Sequence, residues 1–248
     1  MKTAAIIQAR MGSTRLPGKV LKRLCDKTVL AHVISRVQNC PLVDEVIVAT
    51  TTSEEDNAIV LEAEKYKAKW FRGSEHDVLE RYYLAAKEYG IEVIIRITSD
   101  CPLFDPAILF DLLSYFQDET TQGLRIDYLS NTLNRTYPIG LDAEVFTFEA
   151  LEEAFLRASQ PYEREHVTPY IYQHPLIFSL HNQSNDEDLS SYRWTLDTKE
   201  DFQFIQVIYE ALYRHNCLFT TDEILDFLTE NPELIKINSH IKQKQLGE

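Results

Sequence analysis

Short apolar runs alternate along this chain with longer segments in which apolar residues recur every three or four positions. The runs at 5–7, 45–50 and 92–98 have the length and composition of buried strands. Residues 29–37 and 78–86 have the spacing of amphipathic helices. Because strands and helices alternate in this way, the sequence predicts an α/β fold with a mostly parallel sheet and helices on both faces.

The second half of the chain continues the same alternation. Further strands are predicted at 68–71, 126–130, 141–146, 176–180 and 192–197. Further helices are predicted from about Pro106, Ala150, Pro161, Phe202 and Thr221. Ser53 with Asp56, and Ser74 with Asp77, have the spacing of helix capping boxes. The polar segment at 231–248 is predicted to be peripheral.

The charge of the chain restricts its partners. The net charge of −14 argues against nucleic acids and anionic membrane surfaces. The charge is unevenly spread, because residues 1–40 contain eight Lys and Arg residues and one Asp. A local basic region on an acidic protein favours a small anionic ligand over a polymer. The length of 248 residues fits one α/β domain with a small appended lobe.

The cysteines show neither a CxxC pair nor a metal-site spacing with histidine. They are Cys25, Cys40, Cys101 and Cys217. Reduced thiols in a cytoplasmic protein are therefore expected. The sequence runs directly into the first strand without a signal-peptide pattern, and it has no apolar run long enough to span a bilayer. We predict a cytoplasmic protein without a membrane partner.

A basic, glycine-containing loop follows the first strand. Arg10, Arg15 and Lys19 supply three cations, while Gly12 and Gly18 allow the backbone to approach a ligand closely. This composition suits a polyphosphate. The loop is not a P-loop, because five residues instead of four separate the two glycines and the residue after the lysine is neither Ser nor Thr. An ordinary basic surface loop is the alternative.

The run Gln-Ala-Arg-Met-Gly-Ser-Thr-Arg-Leu-Pro-Gly-Lys at 8–19 resembles the signature of the cytidylyltransferases that activate acidic sugars. The resemblance is strongest to the group named for the spore coat polysaccharide biosynthesis protein F, and it extends to about Asp201. CMP-Kdo and CMP-acylneuraminate synthetases are more distant relatives. The resemblance implies a GT-A-like nucleotide-diphospho-sugar transferase fold, a three-layer α/β/α arrangement in one domain over 1–248. Within it, residues from about 131–190 are expected to form an acceptor and dimerisation lobe.

In that family the loop wraps the triphosphate of CTP, so the resemblance assigns nucleotide binding to the matching positions. The predicted nucleotide-binding residues are Ala9, Arg10, Gly12, Ser13, Arg15, Lys19, Thr50, Thr51, Ser74 and Asp77. Arg10 and Lys19 are also predicted to be catalytic. Thr50 and Thr51 follow a strand, at the sheet edge where α/β proteins bind ligands. The segment of Ser74 and Asp77 matches one beside the base, and it equally suits a loop and helix start.

Two aspartates follow predicted strands. Asp100 lies in Ser-Asp-Cys-Pro-Leu, which resembles the family's Gly-Asp-x-Pro-Leu metal motif, and Asp197 lies in a run similar to the second metal motif, Leu-Asp-Thr-x-x-Asp. A carboxylate at the end of a buried strand is costly without a cation. Two carboxylates with phosphate oxygens and water suit Mg²⁺. We predict Mg²⁺ as the cofactor, with Asp100 also catalytic; helix or turn capping is the alternative role for each aspartate.

The acceptor sugar is assigned to charged residues in and after the central strand. The predicted sugar-binding residues are Arg96, Asp142, Glu144, Arg164 and His166. The alternation of Asp142 and Glu144 places both carboxylates on one strand face, which either binds sugar hydroxyls or is simply solvated. Arg164 and His166 match a family element near the acceptor and the dimer contact, where they could hold a carboxylate. A solvated helix face and a partly buried histidine are the alternatives.

These residues together predict a Mg²⁺-dependent transfer of CMP from CTP to an acidic or modified sugar, with release of pyrophosphate. The expected partners are CTP, the sugar acceptor and a second copy of the chain, in surface or spore-coat polysaccharide biosynthesis. A GT-A glycosyltransferase is one alternative, although Pro102 stands where a DxD motif has its second aspartate. A non-catalytic nucleotide-binding module is the other.

Overall fold

The computed structural model describes residues 1–214, 218–243 and 246, so Cys217 lies outside the described residues. The strands are β1 (Thr3–Gln8), β2 (Arg23–Leu24), β3 (Lys27–Thr28), β4 (Glu45–Thr51), β5 (Lys69–Gly73), β6 (Val93–Thr98), β7 (Tyr128–Ser130), β8 (Glu144–Thr147) and β9 (Leu180–Asn182). The α-helices are α1 (Val29–Gln38), α2 (Asn57–Lys65), α3 (Val78–Tyr89), α4 (Pro106–Thr121), α5 (Phe148–Arg157), α6 (Pro161–His166), α7 (Pro169–Tyr172), α8 (Lys199–Leu212) and α9 (Thr221–Glu230). Short 3-10 helices cover Lys19–Leu21, Glu54–Asp56 and Pro232–Ile237. No helix within these ranges is long and apolar enough to cross a membrane.

Seven of the strands form one sheet in the order β5-β4-β1-β6-β8-β7-β9. β1 pairs in parallel with β4 and β6, and β4 pairs in parallel with β5. β8 is antiparallel to both of its neighbours, and β9 pairs in parallel with β7. The predicted mostly parallel α/β sheet is therefore confirmed. Because β1, β4, β5 and β6 run in the same direction, their carboxyl ends share one edge.

Each face of the sheet is covered by helices. Ala5 and Ile7 of β1 are fully buried in a core that includes residues of α1, α4 and α8. Ala4 and Ile6 are fully buried on the other face, against α3 and α5. Each buried isoleucine contributes roughly 1.5–3 kcal/mol relative to an exposed one. The alternation along β1 thus produces the three-layer arrangement.

Helix starts follow the sequence more closely than strand bounds do. Thr28 caps α1 by accepting a hydrogen bond from the Ala31 N–H, and Asp105 caps α4 with Pro106 in the first turn. The strand predicted at 176–180 is wrong for most of its length. The N–H groups of residues 177 and 178 bond back to the carbonyl oxygen of His174 at 2.9 and 3.1 Å, and this turn keeps them out of β9.

Two predictions for the C-terminal half also need correction. The strand predicted at 192–197 is only an isolated bridge, in which Arg193 pairs with Ile139. The segment at 231–248 is not wholly peripheral. The 3-10 helix Pro232–Ile237 leads Asn238 into the interior, where 2% of that residue is exposed.

Gly140 follows Ile139 of the bridge with Arg193, at a point where its backbone lies against that of Trp194 and Thr195. Its φ is +108°, and a Cβ atom there would lie 2.6 Å from both Thr195 N and Trp194 C. We expect Gly140→Ala to lower the free energy of unfolding by about 3–5 kcal/mol, because backbone strain and overpacking add. Urea denaturation would measure this loss.

Gly123 provides the control for this substitution. Its φ is +92°, and no atom in the described part of the chain lies within 4 Å of its added Cβ. Gly123→Ala should therefore report conformational strain alone, at about 1–2 kcal/mol. Equal losses for the two variants would show that the contact with Thr195 and Trp194 is unimportant.

Candidate active site

The basic loop lies at the carboxyl edge of the sheet, directly after β1. Met11 organises it, because its carbonyl oxygen accepts hydrogen bonds from the N–H groups of Ser13 at 2.8 Å and Gly18 at 3.1 Å. Gly18 has a φ of +65° and precedes the short helix that carries Lys19. These main-chain hydrogen bonds fold the loop back on itself.

Asp56 fixes this loop from the short 3-10 helix Glu54–Asp56 that follows β4. It is 2% exposed, and its carboxylate accepts hydrogen bonds from the Met11 N–H at 2.8 Å and from the Thr51 hydroxyl. The capping box predicted for Ser53 and Asp56 is wrong, since the Ser53 side chain makes no cap hydrogen bond. Sequence spacing suggested a helix cap for Asp56, whereas its observed contacts position the loop.

Thr50 and Thr51, both predicted to bind nucleotide, are buried at the carboxyl edge of the sheet, where the basic loop, Asp100 and Asp197 border the region that we call the cleft. Thr50 is fully buried and its hydroxyl has no hydrogen-bond partner among the described residues, while Thr51 is 1% exposed and its hydroxyl donates a hydrogen bond to Asp56. The structure does not bring these two hydroxyls to the surface with the loop cations.

Lys19 joins the two aspartates that were predicted to bind metal. Its Nζ lies 2.7 Å from Asp100 Oδ2 and 2.9 Å from Asp197 Oδ1, and it donates to the Leu196 carbonyl oxygen at 2.9 Å. Arg15 adds a second cation, with its Nη2 atom 3.0 Å from Asp197 Oδ1. Three groups predicted separately from the sequence thus meet at one point.

Burial and charge oppose each other in this cluster. Burial alone would raise the pKa of the Asp100 carboxyl, but the Lys19 ammonium outweighs it and lowers that pKa to about 2. Burial would lower the pKa of Lys19, and the two carboxylates outweigh burial and raise it. Asp100 and Lys19 are therefore both charged at neutral pH.

The donor atoms at this point fit a magnesium ion. Mg²⁺ prefers oxygen ligands and is commonly bound through one or two carboxylates together with substrate phosphates and water. Asp100 and Asp197 supply two such carboxylates, and 22% of the Asp100 side chain is exposed to the cleft. In the described ranges no three His, Cys, Asp or Glu residues converge as metal ligands. The site suits a metal that substrate helps to hold.

Arg10, the remaining loop cation, is paired with Glu75. Arg10 Nη1 lies 3.0 Å from Glu75 Oε1, and about half of each side chain is exposed. Glu75 also lies beside Gly12, at 3.8 Å from the position of an added Cβ. Each of the three loop cations therefore has an internal carboxylate partner. Sequence reasoning missed Glu75, because nothing in a loop glutamate indicates its partner.

We expect Glu75→Gln to lower the KM for a nucleoside triphosphate by about two- to fivefold, because an exposed ion pair that competes with phosphate is worth under about 1 kcal/mol. Steady-state kinetics at low salt would measure the change. Glu88→Gln removes the same charge from the far end of α3 and should leave the KM unchanged. A higher KM in Glu75→Gln would indicate that Glu75 assists binding.

Ser74 and Asp77 form the start of α3. Asp77 caps the helix by accepting from the Glu80 N–H at 2.8 Å, and the Ser74 hydroxyl accepts from the Asp77 N–H at 3.0 Å. The reciprocal capping box predicted for this pair is therefore wrong. Asp77 Oδ2 also accepts from Arg164 Nε at 2.9 Å. This ion pair joins a predicted nucleotide residue to a predicted sugar residue.

Arg96 and Glu144 form an ion pair on the adjacent strands β6 and β8. Glu144 is 6% exposed and also accepts hydrogen bonds from Tyr128 at 2.7 Å and Thr168 at 2.6 Å. His166 lies near this pair, and burial lowers its pKa. The structure therefore brings three of the predicted sugar residues together. Both carboxylate oxygens of Glu144, however, already accept hydrogen bonds from protein groups.

Asp142 lies outside β8, so the prediction of one strand face with two carboxylates is wrong. It pairs with Arg135 through two hydrogen bonds of 2.6 and 2.7 Å, and 35% of its side chain is exposed. Asp142 is close enough to Cys101 to help raise the pKa of that thiol, after burial as the main cause. The Arg135–Asp142 pair thus lies within electrostatic range of Cys101, the residue that follows Asp100. Arg135 was missed, because a loop arginine carries no local signal.

Comparisons with known proteins find this architecture in relatives that span the chain. The cytidylyltransferase family model matches residues 4–239. The chain is 41% identical to an uncharacterized protein of Methanocaldococcus jannaschii, covering 100% of this chain and 99% of that one. It is 33% identical to the spore coat polysaccharide biosynthesis protein SpsF of Bacillus subtilis, covering 92% and 94%. A solved cytidylyltransferase from Leptospira borgpetersenii matches with a TM-score of 0.89 at 36% identity, covering 99% and 100%.

Proposed function

Since this chain belongs to the cytidylyltransferase family and is a nucleotidyltransferase, we propose that it transfers CMP from CTP to a hydroxyl of an acidic or modified sugar. The acceptor oxygen forms a bond to the α-phosphorus of CTP, and the bond to the pyrophosphate oxygen breaks. The hydroxyl proton is released to solvent. Pyrophosphate is the second product, and Mg²⁺ is the proposed cofactor.

The convergence of Lys19 on Asp100 and Asp197 is the observation that carries this proposal. Lys19 of the basic loop lies within 2.9 Å of the carboxylates of Asp100, which follows β6, and of Asp197, which precedes α8. A triphosphate bound by the loop would bring its oxygens to the same point, where they would complete an oxygen-ligated site. When bound there, Mg²⁺ neutralises charge on the phosphate oxygens.

The roles of the loop residues follow from the partners they exchange. Arg10, Arg15 and Lys19 would transfer from Glu75, Asp197 and Asp100 to phosphate oxygens, so that binding replaces internal ion pairs. Backbone groups of Ala9, Gly12 and Ser13 line the same loop. Positioning and charge neutralisation dominate phosphoryl-type transfers, so no side chain needs to become covalently modified.

The region around Cys101 is the proposed acceptor site. Asp142 and Arg135 form a partly exposed bidentate pair near Cys101, and Arg135 could receive a sugar carboxylate in exchange for Asp142. An acidic acceptor would then make the bidentate contact that arginine prefers. The SpsF relative is named for polysaccharide biosynthesis, and we propose a related role for this enzyme in the cytoplasm, where CTP is available.

Pyrophosphate release would test the reaction. The purified protein is incubated with Mg²⁺ and each of the four ribonucleoside triphosphates, together with a panel of nonulosonic acids, Kdo and neutral sugar phosphates. We expect release with CTP and an acidic sugar only. Release with another triphosphate would overturn the choice of base, while CTP binding without release for any acceptor would favour the non-catalytic module.

We also propose that the enzyme is a homodimer through residues 131–190. This region carries Leu176, whose side chain is fully exposed, next to the partly exposed Ile177. It also contributes β8 and β9 to the main sheet, so a partner bound there would contact the same domain that carries the proposed active site. Light scattering would measure the mass in solution, and a monomer at micromolar concentration would contradict this proposal.

A further inference from the structure

Asp197 is held from behind by a buried arginine. Arg193 Nη2 lies 3.0 Å from Asp197 Oδ2, and the side chain of Arg193 is 4% exposed. The other oxygen of Asp197, Oδ1, faces Lys19 at 2.9 Å and Arg15 at 3.0 Å. The two carboxylate oxygens therefore have different partners, one in the protein interior and one in the cleft.

Asp201 accepts hydrogen bonds from Arg193 at both of its carboxylate oxygens. Arg193 donates from Nε to Asp201 Oδ1 at 2.9 Å and from Nη2 to Asp201 Oδ2 at 3.0 Å. Asp201 is fully buried and also accepts from the N–H groups of Asp197 and Thr198, each at 3.0 Å. It thus fixes both the arginine and the main chain from which Asp197 projects.

Asn238 completes this network from the C-terminal segment. Its Nδ2 atom donates to the Arg193 carbonyl oxygen at 2.9 Å and to Asp201 Oδ1 at 3.0 Å. The preceding 3-10 helix packs Leu234 and Ile237 against the main core, which keeps Asn238 in place. Asn238 therefore contacts both Arg193 and Asp201, each of which hydrogen-bonds to Asp197.

Arginine prefers to donate two parallel hydrogen bonds to one carboxylate. Here that bidentate contact goes to Asp201, so that Arg193 donates to Asp197 at Oδ2 alone. If Asp201 were displaced, Arg193 could turn and bind both oxygens of Asp197. The carboxylate would then rotate out of the cleft, and its affinity for a cation would fall.

We infer that Arg193, Asp201 and Asn238 form a brace that positions Asp197 and sets the affinity of the site for its divalent cation. This inference rests on the proposed function, because Asp197 is the metal ligand only if that proposal holds. The three residues touch neither substrate nor metal, so they are positioning residues. Residues that position metal ligands typically change metal affinity by about 10–100-fold when they are replaced.

Asn238→Ala is the variant of choice, because Asp201→Asn risks preventing folding. The full-length protein is titrated with Mn²⁺ at saturating CTP, and water-proton relaxation measures the Mn²⁺ bound in the enzyme–CTP complex. We expect the apparent Kd for Mn²⁺ to rise by about tenfold. Turnover should also fall at limiting metal and recover at high metal, which a merely destabilised fold would not do.

Asn231→Ala is the matched control. Asn231 lies in the same segment and its side chain donates to the Phe227 carbonyl oxygen at 2.8 Å, at the end of α9 and apart from the brace. It should leave the Kd for Mn²⁺ within about twofold of wild type, as expected for an independent site. An unchanged Kd in Asn238→Ala, with lower stability, would overturn the brace but not the proposed function. If wild type formed no Mn²⁺–CTP complex, the proposed metal site would fail and the brace with it.

Discussion

Asp100→Asn should reduce kcat/KM for CTP by at least about 10³-fold, equivalent to about 4 kcal/mol of transition-state stabilisation. An amide keeps the shape of the carboxylate but lacks its negative charge. The variant therefore cannot balance the positive charge of Lys19 or of a metal ion. The main chain should stay in place, because the Asp100 carbonyl oxygen accepts from the Leu196 N–H at 2.8 Å and from Thr195 at 3.4 Å. Pyrophosphate release would measure the loss, and circular dichroism would verify the fold.

Asp127→Asn is the matched control for this variant. Asp127 is 8% exposed, its Oδ2 lies 2.9 Å from Arg125 Nη2, and it accepts a hydrogen bond from the Ser179 N–H at 2.8 Å. It precedes β7 at the sheet edge opposite the cleft, so its amide variant should lose stability and keep activity. Near-wild-type turnover in Asp100→Asn would rule out the metal assignment, whatever the control shows.

The residues that the sequence located correctly are those whose position follows from local pattern. Asp100 follows the central strand β6 as predicted, and Lys19 lies in the basic loop after β1. The family resemblance read from residues 8–19 is confirmed by relatives that span the chain. Parallel strands bring their carboxyl ends to one edge, so ligand binding at that edge could be predicted before any contact was known.

The contacts within the cleft could not be predicted in the same way. Lys19 bonds to Asp197, which lies 178 residues further along the chain, and Met11 bonds to Asp56, 45 residues away. Local spacing suggested a helix cap for Asp56, yet a buried carboxylate takes whichever donors the fold brings near it. Arg135 has no pattern that would mark it at all. Long-range ion pairs are decided by tertiary packing, which the sequence pattern does not encode locally.

Lys19→Ala should have two opposite effects. Turnover should fall by about 10²–10³-fold, because the variant lacks a cation that neutralises charge in the transition state. Divalent-cation binding to the nucleotide-free enzyme should strengthen by roughly tenfold, or about 1.4 kcal/mol. The ammonium lies between Asp100 and Asp197, so a metal ion must displace it in the wild type. Without it, the two carboxylates repel each other and bind a cation more readily.

Lys22→Ala separates this effect from a general loss of positive charge. Lys22 follows the same loop and lies over the Phe202 ring at 5.6 Å from its centroid. Its removal should change neither turnover nor metal affinity by more than about twofold, as expected of a partly exposed charge outside the site. Isothermal titration with Mn²⁺ in the absence of nucleotide measures the second effect. Weaker Mn²⁺ binding in Lys19→Ala would mean that the lysine arranges the two aspartates for the metal, and the idea that it competes with the metal for them would have to be abandoned.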